Sequence, residues 1–284
     1  MKFPWEKYVE LPTGRRNTLQ IFITNNCNLH CDGCFARKLM QKPGNMSLEE
    51  YVQVVSDFKQ RGGEQINLLG GEPLIHPDLS LMTLINAEHG IKTTIYTNGY
   101  FLDKFTHLDF HGAKLRVSLY SKSGKTKSID ALPKTSFEFD SCFMISKETS
   151  CEELIETTKV LERDYNCPVF FISSIRELDN PRKEFFDDTL FTMPVLRYKE
   201  LVHDFLSKYL GKMEIHISKR GVFESTQTLA ENKCRFANYI SPGKIVQCPY
   251  DLINEKFQGD YSFGTRNCQQ NNTCLMSKIV LKRK

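Results

Sequence analysis

The stretch LQIFITNNCNLHCDGC, residues 19–34, decides how the rest of the chain is read. LQIFIT is a short apolar, partly β-branched run, the pattern of a strand. The chain then leaves that strand through a loop carrying Cys27, Cys31 and Cys34, three thiols in eight residues. The N-terminal MKFPWEKYVELP lacks the apolar run of a secretory signal, and no run of 18 apolar residues implies a membrane span. A cytoplasmic setting is therefore expected, where thiols stay reduced. There the ten cysteines of the chain point to metal binding or catalysis rather than to disulfides.

Outward from this stretch, strand and helix patterns alternate. SLEEYVQVVSDFKQRGG (residues 47–63) predicts a helix with a Ser47–Glu50 capping box, with Tyr51, Val54, Val55 and Phe58 on one face and Gly62–Gly63 at its end. QINLLGGEP (65–73) is a strand and loop, LSLMTLINAEHG (79–90) a helix, KTTIYTNG (92–99) and KLRVSLY (114–120) strands. SFEFDSCFMISK (136–147) and CPVFFISSI (167–175) complete six strands. SCEELIETTKVLERDY (150–165), with a Ser150–Glu153 capping box, and VLRYKELVHDFLSKYLGK (195–212) are helices. Such alternation predicts an α/β fold with a parallel sheet and right-handed crossovers. The Gly/Ser/Lys/Pro-rich link between KLRVSLY and SFEFDSC shows no clear helix, so one crossover is reduced.

From about Val222 the texture changes. Four cysteines appear, and NYISPGKIVQC (238–248) reads as a hairpin turning at Pro242–Gly243. The expected division is residues 1–221 and a small cysteine-rich domain over 222–284. The 38 Lys and Arg against 34 Asp and Glu leave a net charge of +4, too little over 284 residues to argue for nucleic acid. The basic tail KIVLKRK reads as a solvated, frayed terminus.

Three thiolates on one short loop suit an iron–sulfur cluster, whereas a structural zinc site takes four protein ligands. Three cysteines on four irons leave one iron open, the mark of a catalytic rather than a structural site. CNLHCDGC on the loop after the first strand resembles the CxxxCxxC signature of the radical S-adenosylmethionine (SAM) enzymes. Three further motifs follow in that family's order: GGEP (70–73), YTNG (96–99) and RVSLY (116–120). All close strands at the C-terminal end, where parallel barrels place their chemistry.

The resemblance covers about residues 19–175 and implies a partial (β/α)6 TIM-like barrel with a small cysteine-rich C-terminal extension. It implies that Cys27, Cys31 and Cys34 hold a 4Fe–4S cluster whose open iron takes the amino and carboxylate groups of SAM. One electron from the cluster would then release a 5′-deoxyadenosyl radical that takes hydrogen from the substrate. Gly70, Gly71, Glu72 and Pro73 resemble the methionine-amino site, Asn98 resembles the polar position near the ribose, and Ser118 resembles the position near the ribose or methionine carboxylate. The family often has an aromatic after the second cysteine. Asp32 stands there, and Phe35 after the third is the alternative ring, or else a barrel-core Phe.

CRFANYISPGKIVQCPYD (234–251) resembles the start of the SPASM and twitch extensions of the same enzymes, which hold auxiliary 4Fe–4S clusters. Cys234, Cys248, Cys268 and Cys274 fit the shorter twitch form with one fully ligated cluster, suited to accepting an electron. A four-cysteine zinc site is the alternative. Cys142, Cys151 and Cys167 read as ordinary thiols, His30 as a solvent-facing loop residue, and the other six histidines show no ligand spacing. Arg116 and Arg176, on strands, would reach the SAM carboxylate or pair at the surface.

The expected function is hydrogen abstraction from a peptide or small-molecule substrate. A flavodoxin- or ferredoxin-like protein would reduce the enzyme, and a separate peptide-recognition protein is a further possible partner. The alternatives are a nucleic-acid-modifying radical SAM enzyme and a non-catalytic metal scaffold or maturation protein. The latter has no reason to keep GGEP and TNG at strand ends.

Overall fold

In the computed structural model, residues 3–11, 16–31, 34, 36–121, 129–174, 195–218, 235–246, 263 and 278–284 are described. Apolar runs bounded by turns form strands β1 (Tyr8–Leu11), β2 (Thr18–Thr24), β3 (Gln65–Gly70), β4 (Lys92–Thr97), β5 (Lys114–Tyr120), β6 (Phe139–Ile145), β7 (Val169–Ser174), β8 (Glu214–Ser218), β9 (Phe236–Ile240), β10 (Lys244–Val246) and β11 (Lys278–Arg283). The helices are α1 (Arg37–Met40), α2 (Leu48–Gln60), α3 (Leu79–Glu88), α4 (Cys151–Asp164) and α5 (Val195–Lys208). One sheet holds every strand in the order β1-β11-β8-β7-β6-β5-β4-β3-β2-β9-β10. β2 to β8 lie side by side in chain order and all parallel, the wall of an open α/β barrel. The link from β5 to β6 contains, among its described residues, a 3₁₀ turn at Ile129–Ala131 and no α-helix, in keeping with its turn-rich composition.

Strand alternation gives the wall two faces. Leu19, Ile21 and Ile23 of β2 pack outward with Ile66, Leu68, Ile95 and Val117 against Tyr51, Val55 and Phe58 of α2. On the opposite face Phe22 and Leu69 form a smaller cluster with Ala36, Ile240 and Val246, and Cys34 and Tyr96 pack against it. The next lumen-facing positions along β5 and β6 are Arg116, Ser118 and Tyr120, and Asp140, Cys142 and Met144, all only partly buried.

Two differences from the sequence reading concern the edges. EIHIS (214–218) is a seventh parallel strand beside β7; at five residues with two of them ionisable, its alternation is easily passed over. The tail KIVLKRK is not frayed. As β11 it runs antiparallel between β8 and β1, with Ile279, Val280 and Leu281 buried, Lys282 exposed, and Arg283 half-buried on the same face as Ile279 and Leu281. The side chains of Lys7, Tyr8 and Arg283 donate to the carbonyls of Ser207, Leu206 and Tyr209, so the two terminal strands cap the end of α5.

The hairpin turns at Pro242–Gly243 as expected, and its first arm β9 runs parallel to β2 in the main sheet. Ser47 and Ser150 each cap their helix by accepting from the backbone N–H three residues on. Their capping-box partners turn elsewhere. Glu153 accepts from Ser121 Oγ at 2.6 Å. Glu50 accepts from Tyr239 Oη at 2.7 Å, Ser241 Oγ at 2.7 Å and Gly243 N at 3.3 Å, holding the hairpin against α2.

Candidate active site at the C-terminal edge of the barrel

The C-terminal ends of β2, β3, β4 and β5 bring the cysteine loop, the GGEP turn, the TNG turn and Ser118 to one edge of the sheet. The glycines are required by backbone against backbone. A Cβ on Gly70, whose φ is +151°, would stand 2.2 Å from Thr24 O, and one on Gly71 would stand 2.0 Å from Asn26 O and 2.9 Å from Cys27 Cβ. Gly71 N donates to Thr24 O at 2.7 Å and Glu72 N to Asn26 O at 2.8 Å. The GGEP turn thus lies flush against the residues leading into Cys27.

Glu72 is fully buried and is a hub. Its Oε1 accepts from Leu74 N at 3.0 Å and Thr97 Oγ1 at 2.6 Å, and its Oε2 accepts from Asn98 N at 2.7 Å. Burial pushes the carboxyl up to about 7, and the three hydrogen bonds, which favour the ion, only partly offset it. Pro73 opens a 3₁₀ turn and is buried. The Asn98 side chain bridges: Nδ2 donates to Asn28 Oδ1 at 2.8 Å, and Oδ1 accepts from Tyr100 N at 3.1 Å. Ser118 lies half-buried on the lumen face of β5, opposite Cys142 of β6.

Cys27, Cys31 and Cys34 are each partly exposed and unpaired. Burial raises the Cys34 thiol to about 11 and also raises Cys27, and repulsion between the neighbouring thiolates adds to both. They are neighbours rather than a closed cage: among the described residues no three His, Cys, Asp or Glu side chains are gathered at metal-binding distance. The Tyr120 hydroxyl, lifted well above its usual range chiefly by burial, reaches Cys31. Tyr100 is raised to about 12, first by burial and then by the negative charge of the Cys31 thiolate. With three thiols on one loop, an apolar wall of Phe22, Ala36 and Leu69 behind Cys34, and hydroxyl groups beside Cys31, the residues suit an iron–sulfur group.

A family model described as "Radical SAM superfamily" matches residues 21–130. Those residues are a radical SAM domain. The chain is 31% identical over 123 residues to a probable GTP 3′,8-cyclase of Pyrobaculum aerophilum, covering 42% of this chain and 40% of that protein. It is 26% identical over 247 residues to the GTP 3′,8-cyclase of Peptoclostridium acidaminophilum, covering 83% of this chain and 70% of that one. The chain thus spans about two fifths of the length of the first of these relatives. In fold it resembles Streptococcus suis SuiB bound to the precursor peptide SuiA, at a TM-score of 0.61 and 16% identity over 86% of this chain and 62% of that one.

Within the radical SAM domain, the sequence-derived residues Cys27, Cys31, Cys34, Gly70, Gly71, Glu72, Pro73, Asn98 and Ser118 come together at one edge of the sheet. Phe35, Cys234, Cys248, Cys268, Cys274 and Arg176 lie outside the described residues. Arg116 faces the lumen but is engaged, donating to Asp140 Oδ2 at 3.1 Å and Tyr96 Oη at 2.9 Å. This matches the pairing alternative rather than a free carboxylate binder. Cys151 and Cys167 are buried thiols, and His30 is exposed. Sequence reasoning missed Thr97, Tyr100, Tyr120 and Asn28. Tyr120 was within reach, being two residues beyond Ser118 on the same strand face.

Proposed function

We propose that the chain is a radical SAM enzyme acting on a small molecule or a peptide, with Cys27, Cys31 and Cys34 holding a 4Fe–4S cluster. The observation that carries this reading is the seating of the three-thiol loop against the GGEP turn, Gly71 N on Thr24 O and Glu72 N on Asn26 O, at the C-terminal edge of a parallel sheet. When bound, the cluster and SAM supply a 5′-deoxyadenosyl radical that takes hydrogen from the substrate. The chain's own residues orient. Glu72 fixes the GGEP turn to the end of β4, and its Oε2, which accepts from Asn98 N, has capacity left for an ammonium group. Asn98 and Ser118 border the nucleoside side, with Phe35 as the adenine-facing ring.

Cys234, Cys248, Cys268 and Cys274, in residues 222–284, would hold a second, fully ligated 4Fe–4S cluster, which would supply an electron acceptor. Their number and spacing support this over zinc. The small nucleotide named for the cyclase relatives favours a small-molecule substrate, and a flavodoxin- or ferredoxin-like protein in the cytoplasm supplies the reducing electron. The test is iron and sulfide counting after anaerobic reconstitution, on the native chain and on Cys27→Ala/Cys31→Ala/Cys34→Ala. About eight irons natively and about four in the variant are expected. About four natively, with zinc retained in the variant, rejects the second cluster; no iron natively rejects the whole reading.

A further inference from the structure

The loop that carries the three thiols spans residues 25–44, and a loop that long fixes its contents only if its neck is closed. Thr24 closes it. The residue is 1% exposed, and its hydroxyl works both as donor and as acceptor: Oγ1 donates to Asn45 Oδ1 at 2.7 Å, with Gly44 O a longer acceptor at 3.4 Å, and accepts from Asn26 N at 3.0 Å. Asn45 Oδ1 also accepts from Asn26 Nδ2 at 3.0 Å, so one amide oxygen gathers both sides of the neck. Flanking backbone bonds run from Asn25 N to Gly44 O at 2.9 Å and from Met46 N to Ile23 O at 2.8 Å.

Thr24 is also where the neck meets the GGEP turn. The β2–β3 register slips between Phe22 and Thr24, which brings Thr24 opposite Gly70, and Thr24 O accepts from Gly71 N at 2.7 Å. The same residue therefore sets the direction in which the loop leaves the sheet, through its hydroxyl, and the distance to the turn, through its carbonyl. A hydroxyl in a buried neck, matched as donor and as acceptor, defines a single geometry rather than merely adding stability.

We propose that Thr24, acting through Asn45 and Asn26, is a positioning residue that holds the cysteine loop in the arrangement that retains the cluster. The proposal rests on the reading of Cys27, Cys31 and Cys34 as iron ligands. Valine keeps the shape of Thr24 and removes the hydroxyl; serine keeps the hydroxyl and removes the methyl group.

The experiment uses anaerobically reconstituted, reduced full-length chain. SAM is added, and the electron paramagnetic resonance signal that responds to SAM is followed during incubation with EDTA. That signal reports the cluster with the open iron and not a fully ligated one. Thr24→Val is expected to lose it about tenfold faster than native protein, the usual cost of removing an outer support of a metal ligand, and Thr24→Ser at close to the native rate. Urea unfolding of the metal-free chains is measured alongside. Loss of signal at the native rate in Thr24→Val overturns the proposal, as does a Thr24→Ser variant that loses it as fast as Thr24→Val. So does acceleration wholly matched by lost stability of the metal-free chain, since a merely structural role gives that. A native chain with no SAM-responsive signal overturns the underlying reading, and shows it before any variant is compared.

Discussion

Glu72→Gln separates the two effects acting on the buried hub of the site. Burial raises the Glu72 carboxyl from 4.5 to about 7 despite three hydrogen bonds from Leu74 N, Thr97 Oγ1 and Asn98 N. The folded chain thus holds this proton more tightly than the unfolded chain does. Its contribution to stability is fully present below the unfolded value, declines as pH rises, and is lost once pH passes about 7. Linkage sets the loss between pH 5 and pH 8 at about 2–3 kcal/mol. Glutamine has no proton to exchange, so this slope vanishes in the variant. Its amide oxygen can keep Leu74 N and Thr97 Oγ1, but its NH₂ then faces Asn98 N–H, leaving a buried donor without an acceptor at a cost of about 1–3 kcal/mol. Urea unfolding of the metal-free chains at pH 5, 6, 7 and 8 should show native protein ahead at pH 5, with the lead shrinking by about 2–3 kcal/mol by pH 8. A lead that is constant or growing with pH refutes the reasoning, because it means that the three donors outweigh burial.

Three other perturbations probe neighbouring claims. Gly71→Ala places a Cβ 2.0 Å from Asn26 O, so the backbone ahead of Cys27 must move; iron retention under EDTA should fall about tenfold, and unchanged retention would show that the close seating is dispensable. Asp140→Ala strips the carboxylate from Arg116, whose side chain is only 15% exposed and keeps only Tyr96 Oη of its two side-chain acceptors, and should cost about 3–5 kcal/mol in urea unfolding, while Arg116→Met/Asp140→Leu together should cost less. Leu281→Ala, at a fully buried position of β11, should cost about 2–5 kcal/mol; a change within experimental error would return the tail to a frayed terminus.

Most of the barrel and its site was legible because local signals agreed with the tertiary role. KLRVSLY became β5 residue for residue, since its alternation matches a strand with one face against helices and one toward the lumen. The cysteine loop, GGEP and TNG were legible as candidates because each follows or ends a strand on the same side of a parallel sheet, and Ser118 lies two residues before the end of β5. What was illegible depends on long-range pairing. β11 is buried only because β8 and β1, from distant parts of the chain, take it between them. Glu50 and Glu153 fit a capping-box pattern, yet their carboxylates found partners on the hairpin and at Ser121. Spacing offered no sign of those partners. The carbonyls of Thr24 and Asn26, which require glycine at 70 and 71, were equally out of reach of local spacing.

The central claim is that Cys27, Cys31 and Cys34 hold a cluster with an iron open to SAM. It is tested most directly by reducing the reconstituted chain with dithionite, adding SAM and measuring 5′-deoxyadenosine by chromatography, beside Cys27→Ala/Cys31→Ala/Cys34→Ala. The account predicts 5′-deoxyadenosine from the native chain and none above background from the variant. A native chain fully loaded with iron that makes none, or a variant that makes as much as the native chain, would contradict it.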